Sequence, residues 1–374
     1  MVASTDKKIR VLIVDDSPFM CKVLENIFNG DRQLQVVGCA KDGREAIAMA
    51  ESLKPDVITM DINMPRVDGL QATAQIMTSN PRPIVVVSSE SRESASGALK
   101  ALELGAIEFV GKPSSGIDLD MEQVKEELLR KVRMAAKVRV VRTASRLVSS
   151  VQTGVPSHPA PAPQRKGHTP MAAPEQRFPV IVVGASAGGP ATVMRLAPGF
   201  KKEFPAAVFL VQHMPALFTT QFAAQLAEFT SIGVKEAEQD EVVAPGTLYI
   251  CPGGQHLRIS SSGKIKLDGA SGRIHGYLPN IDVTMEAAAA FAGPMSIGVI
   301  LTGMGNDSTA GAKAIKAAGG LVLAQDEATS VIFGMPSEAI KAGAVDKVLP
   351  IDDIYPAIEK RVMALCKLAP VGAK

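Results

Sequence analysis

The first half of the chain alternates short apolar runs with segments that have a helical apolar spacing. Pro18–Phe28 and Gly43–Leu53 repeat apolar side chains at the helix period, and Pro18 suits a first helical turn. Five apolar runs predict buried strands: Ile9–Val14, Leu34–Ala40, Val57–Met60, Ile84–Val87 and Ile107–Val110. Strands that alternate with helices predict a parallel α/β sheet with both faces covered.

The second half repeats this alternation with different motifs. Four apolar runs predict strands: Val180–Val183, Ala207–Val211, Ser296–Leu301 and Gly320–Ala324. Between Val234 and Leu267 the segments shorten and are separated by Pro-Gly and Ser-Gly turns, which predicts a β-hairpin. The sequence therefore predicts a second doubly wound α/β domain.

A proline-rich stretch separates the two halves. Leu147–Phe178 holds six prolines and almost no large apolar residue, which is typical of an exposed linker. We expect domains at residues 9–127 and 178–370, joined by a basic helical tail and linker over residues 128–177. The basic charge of Lys125–Arg146 favours a solvated helix face, and docking to an acidic partner is the alternative.

The composition argues against several classes of protein. The 374 residues are 46% hydrophobic and 21% charged, with a formal net charge of +2, which argues against a dedicated nucleic-acid binder. No run of about 18 apolar residues is present, so no membrane insertion is expected. The four cysteines form no CxxC pair, which excludes a disulfide framework and a cysteine zinc motif. We expect a cytoplasmic monomer.

Polar side chains follow the predicted strands of the first domain. They are Asp15, Asp16, Asp61, Ser88 and Lys112. Any one of these acids alone is better explained as a strand-end cap, but the carboxyl ends of parallel strands share one edge. Three carboxylates at one edge repel each other unless a cation neutralises them, and Mg²⁺ suits oxygen ligands and a phosphate. A phosphoryl group on one carboxylate would then be contacted by Lys112 and Ser88.

These residues resemble the receiver domain of bacterial two-component response regulators. The match covers roughly residues 9–127 and lies on Val14-Asp15-Asp16-Ser17, Met60-Asp61-Ile62-Asn63-Met64-Pro65, Asp68-Gly69, Val87-Ser88-Ser89 and Gly111-Lys112-Pro113. The resemblance implies a flavodoxin-like fold in which Asp61 accepts a phosphoryl group from a histidine kinase. It implies Mg²⁺ at Asp15, Asp16, Asp61 and the Asn63 carbonyl, with Asp16 a more direct ligand than Asp15. It also implies phosphate sensing by Ser88 and Lys112, and a cis Lys112–Pro113 bond.

A second motif opens the C-terminal domain. Gly184-Ala185-Ser186-Ala187-Gly188 lies between a predicted strand and a predicted helix, which is the arrangement of a nucleophile elbow. Small neighbours permit a sharp turn, and N–H groups at the helix start can stabilise an oxyanion. A nucleotide-binding glycine turn is disfavoured because position 186 is serine. A purely structural turn stays open on this motif alone.

A nucleophilic serine needs a base and an orienting carboxylate. His213 and Asp307 each follow a predicted strand, as Ser186 does, and His256 is the reserve base. The alternative for Asp307 is a cap on the helix Thr309–Ala318. Three such residues at three strand ends favour a Ser-His-Asp triad. Its order differs from that of α/β-hydrolases, which indicates a Rossmann-like sheet instead.

The C-terminal half resembles the chemotaxis protein-glutamate methylesterases over about residues 178–368. The match lies on Ile181-Val182-Val183-Gly184-Ala185-Ser186-Ala187-Gly188-Gly189-Pro190, Val211-Gln212-His213-Met214, Cys251-Pro252-Gly253-Gly254-Gln255-His256-Leu257, Leu301-Thr302-Gly303-Met304-Gly305-Asn306-Asp307 and Ala324-Gln325-Asp326-Glu327. By this resemblance the catalytic residues are Ser186, His213 and Asp307. The chain departs from the family pattern at Ala187, where threonine is common, and at Ser308, where glycine is common.

Together the resemblances imply a phosphorylation-regulated hydrolase of chemotaxis adaptation. It would cleave glutamate methyl esters of methyl-accepting chemoreceptors and deamidate receptor glutamines, with a histidine kinase as phosphodonor, Mg²⁺ in the receiver and no cofactor in the catalytic domain. From the tethered receiver we expect the unphosphorylated form to cover the Ser186 edge. A DNA-binding response regulator is opposed by the net charge, and a non-catalytic scaffold is opposed by the triad set.

Overall fold

The computed structural model describes residues 7–89, 91–112, 118–138 and 178–368. Most of the expected linker and the Lys112–Pro113 bond lie outside these residues. Within them, no helix combines the length and apolarity needed to cross a membrane.

The N-terminal sheet is parallel and has the strand order β2-β1-β3-β4-β5. Its strands are β1 (Ile9–Val14), β2 (Leu34–Ala40), β3 (Val57–Met60), β4 (Ile84–Ser88) and β5 (Glu108–Gly111). Its helices are α1 (Pro18–Asn29), α2 (Gly43–Leu53), α3 (Gly69–Ser79), α4 (Arg92–Glu103) and α5 (Asp118–Ala135). This is the flavodoxin-like order, so the predicted fold class of the first domain is confirmed. The predicted strands differ from the observed ones by a residue at most.

Helix α5 crosses the expected boundary between residues 127 and 128. Its Leu128 and Val132 are fully buried in the core of the first domain, which therefore extends at least to Ala135. The basic residues of α5 that the structure describes also differ from a solvated face. Lys131 is only 7% exposed and donates to the Phe109 carbonyl at 2.8 Å, and Arg133 pairs with Asp31 at 2.7 Å.

The C-terminal sheet is also parallel, with the order β14-β13-β12-β6-β7-β9-β8. Its strands, with the separate hairpin β10–β11, are β6 (Val180–Ala185), β7 (Ala207–Gln212), β8 (Gly233–Glu236), β9 (Thr247–Ile250), β10 (His256–Ile259), β11 (Ile265–Asp268), β12 (Ser296–Ile300), β13 (Leu321–Gln325) and β14 (Lys347–Leu349). Its helices are α6 (Gly189–Leu196), α7 (Ala216–Phe229), α8 (Ile281–Ala292), α9 (Thr309–Ala317), α10 (Met335–Lys341) and α11 (Ile351–Leu368).

The hairpin prediction for Val234–Leu267 is wrong for half of that segment. β8 and β9 join the main sheet in parallel, and only β10 and β11 pair as an antiparallel hairpin. The Pro-Gly and Ser-Gly turns are real, but turn residues do not reveal which strand a segment will pair with. The predicted doubly wound α/β class is confirmed for this domain as well.

The centre of the C-terminal sheet is buried on both faces. Successive residues of β6 alternate between two clusters, with Ile181 and Val183 in one and Val180 and Val182 in the other. β7 and β12 flank β6 on opposite sides, so the strand order reverses here. A reversal of this kind opens a crevice at the carboxyl ends of the strands, where ligands bind in such folds.

Candidate active site and phosphorylation pocket

The acidic residues of the first domain converge at one edge of its sheet. Carboxylate oxygens of Asp15, Asp16 and Asp61 all lie within 4.8 Å of one another, with Asp15 and Asp61 buried and Asp16 exposed. Lys112 Nζ lies 2.8 Å from Asp15 Oδ2 and 2.7 Å from Asp61 Oδ2. The structure therefore brings together the acids and the lysine expected at this edge.

Burial shapes the charges in this pocket. Desolvation raises the pKa of Asp61 despite the opposing effect of Lys112. Burial also disfavours the charge on Lys112, but its hydrogen bonds to Asp15 and Asp61 outweigh that cost and raise its pKa. Ser88 Oγ is buried with no hydrogen-bond partner among the described residues. The Ser88 carbonyl accepts the Lys112 N–H at 2.8 Å, so an orphaned hydroxyl on the neighbour of Lys112 fits a site built for a cation and an added phosphoryl group.

Two other acids in this domain, Asp42 and Asp68, cap helices instead of joining the acidic pocket. Asp42 Oδ1 accepts the Glu45 N–H at 2.9 Å, and Asp68 Oδ1 accepts the Gln71 N–H at 2.7 Å. Asn63, expected to offer its carbonyl to the metal, is exposed beside the pocket. Its side chain reaches Ser94 Oγ at 3.5 Å.

In the C-terminal domain, Ser186 lies on a tight turn between β6 and α6. Its N–H donates to the Thr302 carbonyl at 3.1 Å, and its own carbonyl accepts from Gly189 N–H at 2.8 Å and from Gln212 Nε2 at 2.9 Å. Gly188 has a φ of 74°, a left-handed conformation that glycine adopts without strain. These bonds hold the Ser186 backbone in the turn just before α6.

His213 and Asp307 form a close pair at the same sheet edge. His213 Nε2 lies 2.8 Å from Asp307 Oδ2, and the Asp307 side chain is fully buried. The His213 N–H donates to the Ala185 carbonyl at 3.1 Å, so the histidine is tied to the residue that precedes Ser186. No hydrogen bond between the Ser186 hydroxyl and His213 occurs among the described residues.

The loop that ends in Asp307 also passes close to Ser186. A Cβ atom on Gly303 would lie 2.8 Å from Ser186 Cβ, so only glycine allows this approach. Met304 follows Gly303 directly. The three residues proposed from the sequence therefore share one edge of the sheet, at the reversal of strand order.

Asp307 caps a helix, but not the one that the sequence suggests. Asp307 Oδ2 accepts the Ile281 N–H at 2.8 Å, and Oδ1 accepts the Asp282 N–H at 3.0 Å, both at the start of α8. The N-cap of α9 is Ser308, whose side chain makes no cap hydrogen bond. Because Asp307 bonds α8 and His213 at once, capping and orientation of the imidazole are compatible roles.

Asp282 lies beside this pair and is not singled out by the sequence pattern. Its Oδ1 accepts the Ser308 N–H at 3.0 Å and the Gly311 N–H at 2.6 Å. Burial raises the pKa of Asp282 to about 6. An acidic residue in the first turn of the helix that begins at residue 281 is the signal that could have identified it.

The reserve base His256 is located elsewhere. It is fully buried on β10, and its Nε2 lies 2.8 Å from the Gly272 carbonyl. It makes no contact with Ser186 or Asp307 among the hydrogen bonds of the described residues. The geometry thus favours His213 over His256 as the partner of Ser186.

The first domain packs directly against this edge. The Phe109 ring of β5 stacks on Phe218 of α7 with centroids 4.2 Å apart. Gly188 N–H donates to the Ile107 carbonyl at 3.2 Å. Arg130 Nη1 of α5 lies 3.8 Å from Met304 Sδ. Ser186, two residues before Gly188, is only 8% exposed.

Comparison with known proteins places both domains in known families. The CheB methylesterase family model matches residues 181–358, and the response regulator receiver domain model matches residues 11–125. A receiver joined to a methylesterase domain is the class of protein that the two sheets and their two sites define.

The relatives extend over nearly the whole chain. A protein-glutamate methylesterase/protein-glutamine glutaminase of Pyrococcus horikoshii is 40% identical over 367 residues, covering 95% of this chain and 94% of its own. One from Thermotoga maritima is 42% identical over 349 residues, covering 92% and 96%. The crystal structure of the Thermotoga maritima CheB methylesterase catalytic domain is 41% identical, with a TM-score of 0.47, covering 49% of this chain and 98% of its own. The chain belongs to the protein-glutamate methylesterase/protein-glutamine glutaminase family.

Proposed function

We propose that this protein hydrolyses glutamate methyl esters on methyl-accepting chemoreceptors and deamidates receptor glutamines, under control of phosphorylation at Asp61. The observation that carries the proposal is the His213–Asp307 hydrogen bond of 2.8 Å at the edge where Ser186 lies on the turn that leads into α6. The activities named for relatives at about 40% identity support it. Such a reaction resets receptor signalling during adaptation.

In the proposed mechanism, Ser186 Oγ attacks the ester carbonyl as His213 takes the hydroxyl proton. Because Nε2 of His213 faces Asp307, Nδ1 is the nitrogen left for that proton. The carboxylate of Asp307 orients the ring and stabilises its cationic form. His213 then protonates the departing methoxide, and methanol leaves an acyl-enzyme.

The second half of the reaction reverses these roles. A water molecule gives a proton to His213 and attacks the acyl carbonyl, which frees the glutamate carboxylate and returns the proton to Ser186. A glutamine side chain would follow the same route with ammonia as leaving group. Backbone N–H groups of Ala187 and Met304 are the proposed oxyanion donors, and one such donor is worth about 100- to 1,000-fold in rate.

Control by the receiver follows from the interdomain contacts. A histidine kinase would transfer a phosphoryl group to Asp61. Mg²⁺ would be held by Asp15, Asp16, Asp61 and the Asn63 carbonyl, where it would neutralise the negative charge of the phosphoryl group. Lys112 and Ser88 would contact the phosphoryl oxygens. The unphosphorylated receiver covers the Ser186 edge through Phe109, Ile107 and Arg130, and phosphorylation shifts the population away from this state.

The test uses chemoreceptor membranes carrying tritiated methyl esters, with and without an acyl phosphate as phosphodonor. The full chain should release volatile methanol, faster with the donor. Ser186→Ala should release less than about one thousandth as much while its receiver still incorporates phosphate. Methanol release by Ser186→Ala at the normal rate would refute the proposal, and no release by the full chain with the donor would favour a non-catalytic scaffold.

A further inference from the structure

A tyrosine outside the proposed triad lies flat against His213. The ring centroids of Tyr277 and His213 are 4.5 Å apart, and their planes differ by 19°. The bond from Nε2 to Asp307 fixes one edge of the imidazole but leaves the ring free to rotate about that bond. A stacked ring removes this freedom because it restrains the plane.

The position of Tyr277 is set by a tight turn. Ile274 and Tyr277 exchange two backbone hydrogen bonds of 3.0 Å each. The two residues between them, His275 and Gly276, have φ values of 51° and 87°, as in a two-residue hairpin turn of type I′. The backbone of Tyr277 is therefore fixed over a span of four residues.

The same turn is tied to the helix that holds Asp307. Asn280 Nδ2 donates to the Ile274 carbonyl at 3.2 Å, while Asn280 Oδ1 accepts the Val283 N–H at 3.0 Å and caps α8. Asp307 accepts the first two N–H groups of α8. The start of α8 thus positions both Asp307, at the edge of the His213 imidazole, and Tyr277, at its face.

The ring of Tyr277, and not its hydroxyl, makes the contact that matters. The hydroxyl lies over Gly305, where a Cβ atom would collide with it and where φ is 93°. No hydrogen bond of the hydroxyl occurs among the described residues. Burial raises the pKa of Tyr277, so the phenol stays neutral at physiological pH.

We propose that Tyr277 is a positioning residue for His213. Its ring holds the plane of the imidazole, and its π face stabilises the imidazolium that forms when the Ser186 proton moves to Nδ1. Tyr277 itself neither gains nor loses a proton. The inference rests on the proposed role of His213 as the base.

The test compares Tyr277→Leu with Tyr277→Phe in the full chain, using the tritiated receptor membranes and the acyl phosphate. Leucine keeps the site dry but removes the ring, whereas phenylalanine keeps the ring. Tyr277→Leu should lower kcat about three- to tenfold with KM within about twofold. It should also move the acid limb of the pH–rate profile about half a unit to lower pH, since the imidazolium loses a stabilising contact. Tyr277→Phe should restore kcat to within about twofold of the parent.

A matched control is Tyr355→Leu, which removes an aromatic ring packed on Phe200 and Phe204 of the same domain. It should lower the thermal midpoint without moving the acid limb. Parent-like kcat and acid limb in Tyr277→Leu, or a Tyr277→Phe variant as slow as Tyr277→Leu, would overturn the role of the ring. Because Ser186→Ala is measured in parallel, failure of the Tyr277 inference is distinct from failure of the proposed hydrolase activity.

Discussion

The side chains of Asp307 and Asp282 form reciprocal caps, in which Asp307 caps the helix that contains Asp282 and Asp282 caps the helix that follows Asp307. Asp307 accepts the N–H groups of Ile281 and Asp282 at the start of α8, and Asp282 Oδ1 accepts the N–H groups of Ser308 and Gly311 at the start of α9. The carboxylate that faces His213 is therefore fixed between two helix ends. Two acids this close also place negative charge where burial disfavours it.

Asp282→Asn should show that burying the Asp282 carboxylate makes the stability of the parent depend on pH. Burial raises the folded pKa of Asp282 from 3.8 to about 6, so the protonated form favours folding and this contribution is lost as the pH rises from about 4 through 6. Asparagine retains the oxygen that accepts both N–H groups but never ionises. Between pH 4 and 7, the free energy of unfolding of the parent should fall by about 1–3 kcal/mol relative to that of the variant. Calorimetry of the C-terminal transition measures it, and a pH-independent difference would contradict it.

Ser308→Gly should stabilise the C-terminal domain. Ser308 has a φ of 101°, a left-handed conformation that costs a side-chain-bearing residue energy, and its buried hydroxyl has no partner among the described residues. Glycine removes both costs, and we expect a gain of about 1 kcal/mol, or 2–4 °C in thermal midpoint. Ser308→Ala is the matched control, since it removes only the hydroxyl. An equal gain from alanine would show that the backbone conformation contributes nothing.

Asp307→Asn should separate the orienting role from the capping role. The amide can accept one N–H of α8, but it cannot stabilise an imidazolium and it favours the wrong tautomer of His213. Methanol release should fall about 1,000- to 10,000-fold. A cooperative unfolding transition of the C-terminal domain in calorimetry serves as the check that this domain is folded. A variant within tenfold of the parent would leave Asp307 as a helix cap only.

Asp61→Asn should abolish the response to phosphodonor without abolishing the basal rate, since Ser186 and its partners are in the other domain. Removing divalent cations with a chelator should have the same effect on the parent, because Lys112 alone cannot neutralise three carboxylates and an incoming phosphoryl group. Added Mg²⁺ should restore activation of the parent but not of Asp61→Asn. Activation of Asp61→Asn by acyl phosphate would place the phosphoacceptor elsewhere.

Loosening the contact between the domains should raise the basal rate. Arg130→Ala removes the side chain that reaches Met304, and deletion of residues 1–147 removes the whole receiver. Both should release methanol faster than the unphosphorylated parent, with the larger effect from the deletion. Lys137→Ala, at an exposed position two residues after α5, is the control that changes charge without touching the edge. A deletion variant no faster than the parent would refute the covering role.

Local sequence pattern is sufficient to predict most of the central sheet and much of both sites. Apolar runs locate nearly all central strands, and the rule that parallel strands share a carboxyl edge is enough to bring Asp61 and Lys112, or His213 and Asp307, together. Partners fixed only by tertiary packing are beyond the reach of such patterns. Tyr277 lies on a turn that carries no motif, and the pairing of Asp307 with α8 instead of α9 depends on how two helix starts approach each other. The strand pairing of β8 and β9 is likewise decided across the sheet.

The residues that flank strand β5 contact both sites, the acidic pocket at one end and the Ser186 turn at the other. Lys112 follows its last residue and pairs with Asp61, and Ile107 precedes its first residue and accepts the N–H of Gly188, two residues after Ser186. An element only a few residues long thus joins Lys112, the proposed phosphate sensor, to the turn that carries Ser186. The covalent tether between the domains then needs only to keep their local concentration high, and doubling its length would alter that balance by roughly 0.6 kcal/mol. The tether can therefore change in length at little cost, whereas inserting one residue into the strand would displace both contacts at once.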